Sequence, residues 1–445
     1  MKRKDVIIAA GMLILLLVTT VFGAEEAAPA TPPVPKTDAG DTAWVLISTG
    51  LVMLMTPGLA FFYGGLVRKK NVLSILMQCF MILCLISLQW VILGYSLSFG
   101  PDVGGVIGDL SWAGLSGVGG DPNPAYAATI PHSAFMIFQA MFAIITPALI
   151  IGAFAERMKF PAFCIFSLLW ATLVYDPVCH WVWGDGGFLK KLGALDFAGG
   201  TVVHINAGLS ALAAALVLGR RLGYPHTMSP PHNLPFAVLG AGLLWFGWFG
   251  FNGGSALQAN SLGVNALVVT HVAAAAAGMA WAVMDWLLLA RPTMLGMITG
   301  AIAGLVAITP AAGYVTPMGA IGVGVGAGVI CYLAVSFLKA RFGYDDSLDA
   351  FGVHGVGGIW GALATGLWAT KSINPAGADG LFHGNPNQFL IQLAAVAVTM
   401  VYSFVVTLIL LKVVNALAKV RAVEQEERIG LDLTQHREVG YTVVD

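Results

Sequence analysis

Apolar stretches of about 20 residues recur along most of the chain, and shorter polar or glycine-rich segments separate them. A helix of that length crosses the hydrocarbon core of a bilayer and satisfies its own backbone hydrogen bonds there. The pattern therefore predicts an all-α integral membrane protein. Eleven membrane-spanning helices are predicted, at 44–66, 72–98, 133–155, 160–182, 199–219, 234–256, 263–290, 295–314, 319–338, 351–370 and 387–414.

The N-terminal region differs from the rest of the chain. Basic residues at 2–4 precede a short apolar run, and small residues follow it, which is typical of a signal peptide, predicted here at 1–24. An uncleaved additional helix is the alternative, because the bulky Phe22 lies in the cleavage region. The stretch 25–41 is rich in Pro and Ala and predicts a disordered exported linker.

Composition supports a membrane protein and narrows its function. Hydrophobic residues make up 58% of the chain and charged residues 10%, whereas soluble domains carry about 25% charged residues. A net charge of −1 argues against nucleic acid as a partner. The five cysteines have no metal-binding spacing and are interpreted as small core residues. No P-loop is present, so nothing in the sequence suggests ATP hydrolysis. We expect neither enzyme activity nor a bound cofactor or metal.

An odd number of spans places the two chain ends on opposite sides of the membrane. The predicted membrane domain, 42–415, would follow an exported N-terminus, and the tail, 416–445, would lie in the cytosol. The basic residues agree, because cytoplasmic loops are rich in Lys and Arg. The mature chain has only these basic residues on the predicted outer side: Lys36, Lys190, Lys191 and Lys371.

A weak internal repeat relates the two halves of the membrane domain. GLAFFYGGLVRKKN at 58–71 matches GWFGFNGGSALQAN at 247–260, and these segments belong to spans 1 and 6. Repeat units of five spans have opposite orientations in the membrane, which is the inverted-repeat design of many transporters. We therefore predict two five-helix halves and an additional C-terminal helix. Chance similarity between glycine-rich apolar segments is the alternative.

Three histidines lie within predicted spans, where ionisable residues are rare and are candidates for function. His204 and His354 are equivalent in the repeat, and an acid precedes each, Asp196 and Asp349. A pseudo-two-fold axis would bring the two imidazoles together, where they can share a proton and offer hydrogen bonds to a small polar passenger. His271 has no such partner, and we interpret it as a buried core residue.

Residues near these histidines have predicted structural roles. Asp196 precedes Phe-Ala-Gly-Gly at the start of a span, a position that favours an N-cap, and direct contact with a cation is the alternative. Gly208 and Gly358 lie one helical turn after the two histidines. Residues without a side chain at those positions allow a close helix approach.

Five motifs occur in the order AFMIFQAMFA, DFAGGTVVHINAG, WFGFNGGSA, DDSLDAFGVHGVGGIWGAL and RIGLDLTQH. In this combination the chain resembles the ammonium transporter family, the Amt/Mep/Rh group, over about residues 42–441, and is most similar to its bacterial Amt branch. The resemblance implies a multi-pass transporter of ammonium or ammonia in the bacterial inner membrane, surrounded by lipid. It also implies a homotrimer with one pore per subunit.

The resemblance implies a path with an external recruitment site, a phenyl gate and a histidine-lined pore. The matching residues are Trp183, Ser255 and Phe138 with Asp196 in support (recruitment), Phe142 and Phe251 (gate), and His204, His354 and Trp248 (pore). Asp185 is predicted near the external site, where we expect it to attract cations weakly. Ammonium would lose its proton in the apolar passage, because an unsolvated ion is costly there, whereas potassium has no proton to lose.

The tail motif Gly430-Leu431-Asp432 implies a docking surface for a PII-type signalling protein. Three alternative functions follow from the same features. A sensor would signal through the tail and such a partner, a haem-binding redox subunit would need more intramembrane histidine pairs than the one found, and a gas channel would resemble the Rh branch. Trp183 and Ser255 are more similar to the Amt branch.

Overall fold

Helices make up nearly all of the regular structure in the computed structural model, which describes residues 36–226 and 229–441. The predicted signal peptide, 1–24, and linker residues 25–35 lie outside these ranges. We number the elements in chain order. They are α1 (Ala39–Leu66), α2 (Lys69–Phe99), β1 (Asp102–Val103), β2 (Ile107–Gly108), α3 (His132–Phe154), α4 (Phe160–Leu192, interrupted after Trp183), α5 (Gly200–Leu218), α6 (Leu234–Ala256), α7 (Ser261–Leu289), α8 (Met294–Ile308), α9 (Pro317–Phe342), α10 (Val356–Trp368, after a π-helical turn at Phe351–Gly355), α11 (Pro386–Leu417) and α12 (Glu424–Ile429, before a π-helical turn at Asp432–His436). The two short strands pair antiparallel.

Nine helices within the described ranges are long and apolar enough to cross a membrane. The two other predicted spans are helical but shorter, since α8 has 15 residues and α10 has 13 after its π-helical turn. The predicted end of α8, at 314, is wrong because the helix stops at Ile308 and a turn follows. Pro310 lies in that turn, and proline does not continue an α-helix. The chain is a multi-pass helical membrane protein.

The first helix begins earlier than hydropathy indicates. α1 starts at Ala39, so the last three residues of the predicted linker, 39–41, are helical. The Asp38 carboxylate accepts a hydrogen bond from the Asp41 amide at 2.9 Å, and the Asp38 carbonyl accepts one from the Thr42 hydroxyl at 2.7 Å. Such a polar cap extends a helix beyond its apolar part.

The helices that carry His204 and His354 cross at glycines. A Cβ atom at Gly208 would lie 2.1 Å from the backbone nitrogen of Gly355, and one at Gly358 would lie 3.0 Å from the Cβ of His204. These distances confirm the predicted close approach. Each glycine therefore lies against the histidine segment of the other helix.

Each of these histidines lies in a π-helical turn that an acid caps. His204 belongs to the turn at Gly200–Ile205, and Asp196 caps it. In the second turn the capping acid is Asp346 and not Asp349, the acid noted before His354 in the sequence. Asp346 accepts hydrogen bonds from the amides of residues 350 and 351 at 3.1 and 2.7 Å. Asp349 has a φ of 59° and pairs instead with Lys339 at 2.7 Å.

The C-terminal segment packs against one face of the helices, which we call the tail side; the opposite face, which carries the loop 100–131, is the loop side. The carboxylate of Asp432 accepts hydrogen bonds from the amides of Leu73 and Ser74 in α2, at 3.1 and 2.8 Å. Arg421 pairs with the buried Glu427 at 2.8 Å. The predicted tail is therefore part of the folded unit as far as Tyr441.

An ion-pair network lies on the tail side. Glu156 is buried and pairs with Arg68 at 2.9 Å and with Arg221 at 3.1 Å, and Arg221 also pairs with Asp345 at 2.9 Å. Burial opposes ionisation of Glu156 and Asp345. Hydrogen bonds and charges nevertheless hold the pKa of each carboxyl below its usual range, from Arg68 and Arg221 for Glu156 and chiefly from Arg221 for Asp345. The network therefore contributes stability above that range, and the contribution is lost as the pH falls through the lowered pKa values.

Replacing Gly208 tests the glycine crossing. In Gly208→Ala the new methyl group meets backbone atoms, which cannot rotate away, so we expect a loss of about 1–3 kcal/mol in the free energy of unfolding. Gly242→Ala is the matched control, because no atom lies within 4 Å of its Cβ position. The measurement is the thermal unfolding midpoint in detergent. A midpoint of Gly208→Ala equal to that of Gly242→Ala would contradict the crossing.

Candidate functional site

Three cavities follow one another between the helices. The loop-side cavity has a volume of about 410 Å³, and the tail-side cavity has about 620 Å³. The central cavity between them has only about 10 Å³, close to the space that one water molecule needs. His354 lines both the central and the tail-side cavity. The path therefore narrows at the histidines to the size of a single small molecule.

Trp183 and Ser255 both line the loop-side cavity, as their predicted roles require. The Ser255 hydroxyl donates a hydrogen bond to the carbonyl of Phe251 at 2.7 Å, so its oxygen is left as an acceptor. The Trp183 ring nitrogen donates to the carbonyl of Asp196 at 2.8 Å, which fixes the ring. The cavity thus combines an aromatic side chain with an oriented acceptor.

The Asp196 carboxylate is occupied by the backbone. One oxygen accepts hydrogen bonds from Gly199 and Gly200 at 2.8 and 2.6 Å. The other accepts from the amides of Thr201 and Val202 at 2.8 and 3.2 Å and also from the Thr201 hydroxyl. Asp196 borders the cavity but is only 7% exposed. These contacts match the N-cap interpretation rather than a carboxylate aimed at a cation.

Phe138 and its neighbour Gln139 occupy different positions. Phe138 is fully buried and packs against Phe142 with ring centroids 5.0 Å apart, and it is not among the residues that line the loop-side cavity. Gln139 does line that cavity, and its side-chain oxygen is buried without a hydrogen-bond partner in the described residues. Gln139 was not among the predicted site residues, although it is the one polar residue in AFMIFQAMFA.

Asp185 lies on the surface beside this cavity. Its side chain is 69% exposed and lies 3.9 Å from the Lys190 ammonium group. Lys190 lines the cavity, whereas Asp185 is not among the lining residues. The predicted attraction of cations by Asp185 therefore has to act across this lysine.

Two phenyl rings separate the loop-side cavity from the central cavity. Phe142 and Phe251 are fully buried, and their centroids lie 4.4 Å apart with 44° between the ring planes. Phe142 also meets Trp183 edge-on at 5.8 Å. The closely packed rings leave no wide connection between the two cavities.

The two pore histidines lie together below these rings. The centroids of His204 and His354 are 5.4 Å apart with 20° between the planes. Both nitrogens of His204 and Nδ1 of His354 are buried without a hydrogen-bond partner in the described residues. The two rings meet as predicted, but they stack, and the expected proton-sharing hydrogen bond between them is not formed.

Trp248 holds one side of His204. The two rings stack with centroids 5.5 Å apart and 25° between the planes. The Trp248 ring nitrogen donates to the Thr309 hydroxyl at 2.9 Å, and that hydroxyl donates to the carbonyl of Leu305 at 2.8 Å. Thr309 was not among the predicted site residues, because a threonine near a helix end more often forms a hydrogen bond only with the backbone of its own helix.

His271 lies outside this path. It is exposed on the outer surface of α7, and its ring lies 5.4 Å from that of Trp245. The prediction of a buried core residue is therefore wrong. Apolar residues cover every face of α7, so the sequence pattern did not distinguish its inner face from its outer face.

The arrangement suits a small molecule with both hydrogen-bond donors and an acceptor. Buried polar atoms without partners are costly, so the three unpartnered imidazole nitrogens favour a passenger that bonds to them. The larger cavities on each side give it access. In the described part of the chain, no group of three His, Cys, Asp or Glu residues is placed to hold a metal ion.

Comparisons with known proteins agree over nearly the whole chain. A sequence model of the Ammonium Transporter Family matches residues 43–441. The chain is 54% identical over 402 residues to the ammonium transporter of Bacillus subtilis, which covers 90% of this chain and 98% of that protein. It is 51% identical over 403 residues to ammonium transporter Amt1 of Archaeoglobus fulgidus, and this match covers 91% of this chain and 99% of that protein.

Solved structures share the fold as well. The crystal structure of Saccharomyces cerevisiae Mep2 has a TM-score of 0.82 and 37% identity, and the match covers 87% of this chain and 88% of that one. A structure described as a sensor Amt protein has a TM-score of 0.82 and 31% identity, and the match covers 89% of this chain and 98% of that one.

The role of Asp196 is testable with Asp196→Asn. Asparagine keeps the shape but replaces one acceptor oxygen with an NH₂ group, so we expect a loss of about 2–3 kcal/mol in stability and faster amide exchange at residues 199–202. Asp185→Asn, at an exposed carboxylate, is the control. Thermal unfolding and hydrogen exchange are the measurements. Unchanged stability with weakened cation binding would instead make Asp196 a direct ligand.

Proposed function

This chain belongs to the ammonium transporter family, and we propose that it recruits ammonium in the loop-side cavity, removes a proton and conducts ammonia through the central cavity. The observation that carries this proposal is the central cavity itself. It has room for one small molecule, its walls are mostly apolar, and His204 and His354 present unpartnered nitrogens there. Since its relatives are named transporters, we assign no enzyme activity.

Recruitment rests on weak contacts in the loop-side cavity. The face of Trp183 attracts a cation by about 0.5–2 kcal/mol, depending on how far water is excluded. The Ser255 oxygen, fixed as an acceptor, and the unpartnered oxygen of Gln139 accept hydrogen bonds from ammonium. Phe138 supports the site from behind through its contact with Phe142. Weak contacts let the passenger leave again.

Selectivity follows from the cost of removing water. The Phe142 and Phe251 rings and the apolar central cavity offer no ring of oxygens to replace the hydration shell of an ion. Ammonium escapes this cost by losing its proton, and potassium cannot do so. The barrier therefore separates the two ions by their chemistry, although their sizes are similar.

The histidine pair receives the neutral molecule. A neutral imidazole has one donor and one acceptor nitrogen, and ammonia has three N–H donors and one lone pair. His204, stacked on Trp248, provides the entry contact, and His354 provides the exit because it also borders the tail-side cavity. The same pair is the candidate route for the proton.

Currents from purified protein in proteoliposomes test this proposal. We expect a transient current after a step of ammonium, no current after an equal step of potassium, and a changed or lost current in His204→Ala. His383→Ala is the control, because His383 is exposed and does not line the three cavities. An internal pH change without current would mean that ammonia crosses alone. If the unaltered protein gives neither a current nor an internal pH change, the transport proposal is overturned and sensing is favoured.

We also propose that the eleven helices α1–α11 span the bacterial inner membrane with the tail side in the cytosol. The two halves, α1–α5 and α6–α10, would form an inverted repeat to which α11 is added. The capped π-helical turns around His204 and His354 support this symmetry. The arginines beneath the tail support the orientation, because basic residues favour the cytosolic side.

A homotrimer is the proposed assembly, and His271 supports it. An ionisable side chain exposed to lipid in the middle of a helix is costly, so we infer that another copy of the chain covers this face. We expect the native mass of the purified protein to equal three chains. His271→Arg should shift it towards the single chain, whereas His271→Leu should not. A monomeric unaltered protein, or a fully trimeric His271→Arg variant, would contradict the proposal.

Sensing is the second candidate function. The C-terminal segment is packed against the tail side of the helices, where the tail-side cavity also lies, and a sensor Amt protein is among the structural relatives. We propose that a PII-type partner binds there around Gly430–Asp432 and closes the tail-side cavity. Because such a partner could regulate a transporter or receive the signal of a sensor, its binding does not distinguish the two functions. The proteoliposome currents described above do.

A further inference from the structure

Lys190 places an ammonium group of the protein itself at the rim of the loop-side cavity. Its Nζ atom lies 3.3 Å from the carbonyl oxygen of Trp183 and 5.6 Å from the ring centroid of Tyr126. Lys190, Tyr126 and Trp183 all line the cavity. A carbonyl oxygen and an aromatic face are the kinds of group that hold a small cation. The side chain therefore occupies contacts that suit an ammonium ion.

The other charged groups nearby leave the lysine charge largely unbalanced. The pair with Asp185 spans 3.9 Å between side chains that are 41% and 69% exposed, and exposed pairs of this kind contribute little. The Asp196 carboxylate is occupied by backbone amides. Lys191 is directed elsewhere, with its ammonium group 3.5 Å from Asp102. Lys190 and Asp196 are the charged residues that line this cavity in the described part of the chain.

We propose that Lys190 is a tethered competitor that lowers the affinity of the loop-side cavity for ammonium. Its alkylammonium group holds rim contacts that an incoming ion would use, and its charge repels that ion. Two unit charges about 10 Å apart at a wet protein surface change a binding constant by about two- to tenfold. This inference rests on the proposed function and adds a residue that sets its working concentration range.

A purely structural role makes a different prediction. Trp183 is the last residue of a helical segment, and a lysine near a helix C-terminus stabilises its free carbonyls. Loss of such a contact lowers the thermal unfolding midpoint and leaves the affinity for ammonium unchanged. Competition predicts the opposite pattern, in which affinity rises and stability stays nearly constant.

Lys190→Met removes the charge and keeps the length of the side chain, and Lys191→Met is the matched control on the adjacent residue. In proteoliposomes we expect the half-saturating ammonium concentration of the current to fall about two- to tenfold in Lys190→Met. We expect no change in Lys191→Met or in the charge-preserving Lys190→Arg. Added salt should shift the half-saturating concentration less in Lys190→Met than in the unaltered protein.

Binding is measured separately from transport by titrating the same variants with ammonium chloride while following tryptophan fluorescence. A tighter binding constant for Lys190→Met than for Lys191→Met supports the inference. Equal or weaker binding by Lys190→Met overturns the inference. A variant with unchanged binding and a lower thermal unfolding midpoint would show a purely structural role. Intact binding without current in the unaltered protein would overturn the transport proposal alone.

Discussion

The cost of taking a charge out of water constrains this protein more than any other interaction. The path between the helices narrows to a cavity of about 10 Å³ with mostly apolar walls, where an ion loses its hydration and gains little in exchange. The larger cavities on either side are lined by both polar and aromatic side chains. Phe142 and Phe251 separate these environments over the thickness of two rings. In the proposed mechanism, the charged and neutral forms of the passenger therefore occupy different parts of one path.

The backbone sets the geometry at this narrowing. Gly208 and Gly358 bring the two histidine segments into contact, and Asp196 and Asp346 hold the start of each segment through its amides. The oxygens of these carboxylates accept hydrogen bonds from backbone amides. The acids therefore hold the histidine segments in place without leaving an unpaired negative charge beside them. A free carboxylate at the same place would bind a cation too tightly for release.

Hydropathy located the helices, but it carries no information on which face is buried, so it misplaced His271. It also missed the start of α1, because a hydrogen bond from the Asp41 amide to the Asp38 carboxylate sets that end. Sequence motifs found the aromatic and histidine residues of the site. They missed Gln139 and Thr309, whose roles depend on neighbours distant in the chain, as with Thr309 and Trp248. Spacing alone likewise did not separate Asp349 from Asp346, which caps the turn.

The contact between Asp432 and the first amides of the α-helical part of α2 has a practical consequence for how variants of this protein are interpreted. Those amides have no partner within their own helix, so the C-terminal segment completes a membrane helix that begins far earlier in the chain. Shortening the chain before Gly430 removes a helix cap together with any surface for a regulator. Loss of activity in such a truncated protein reports on assembly as much as on control.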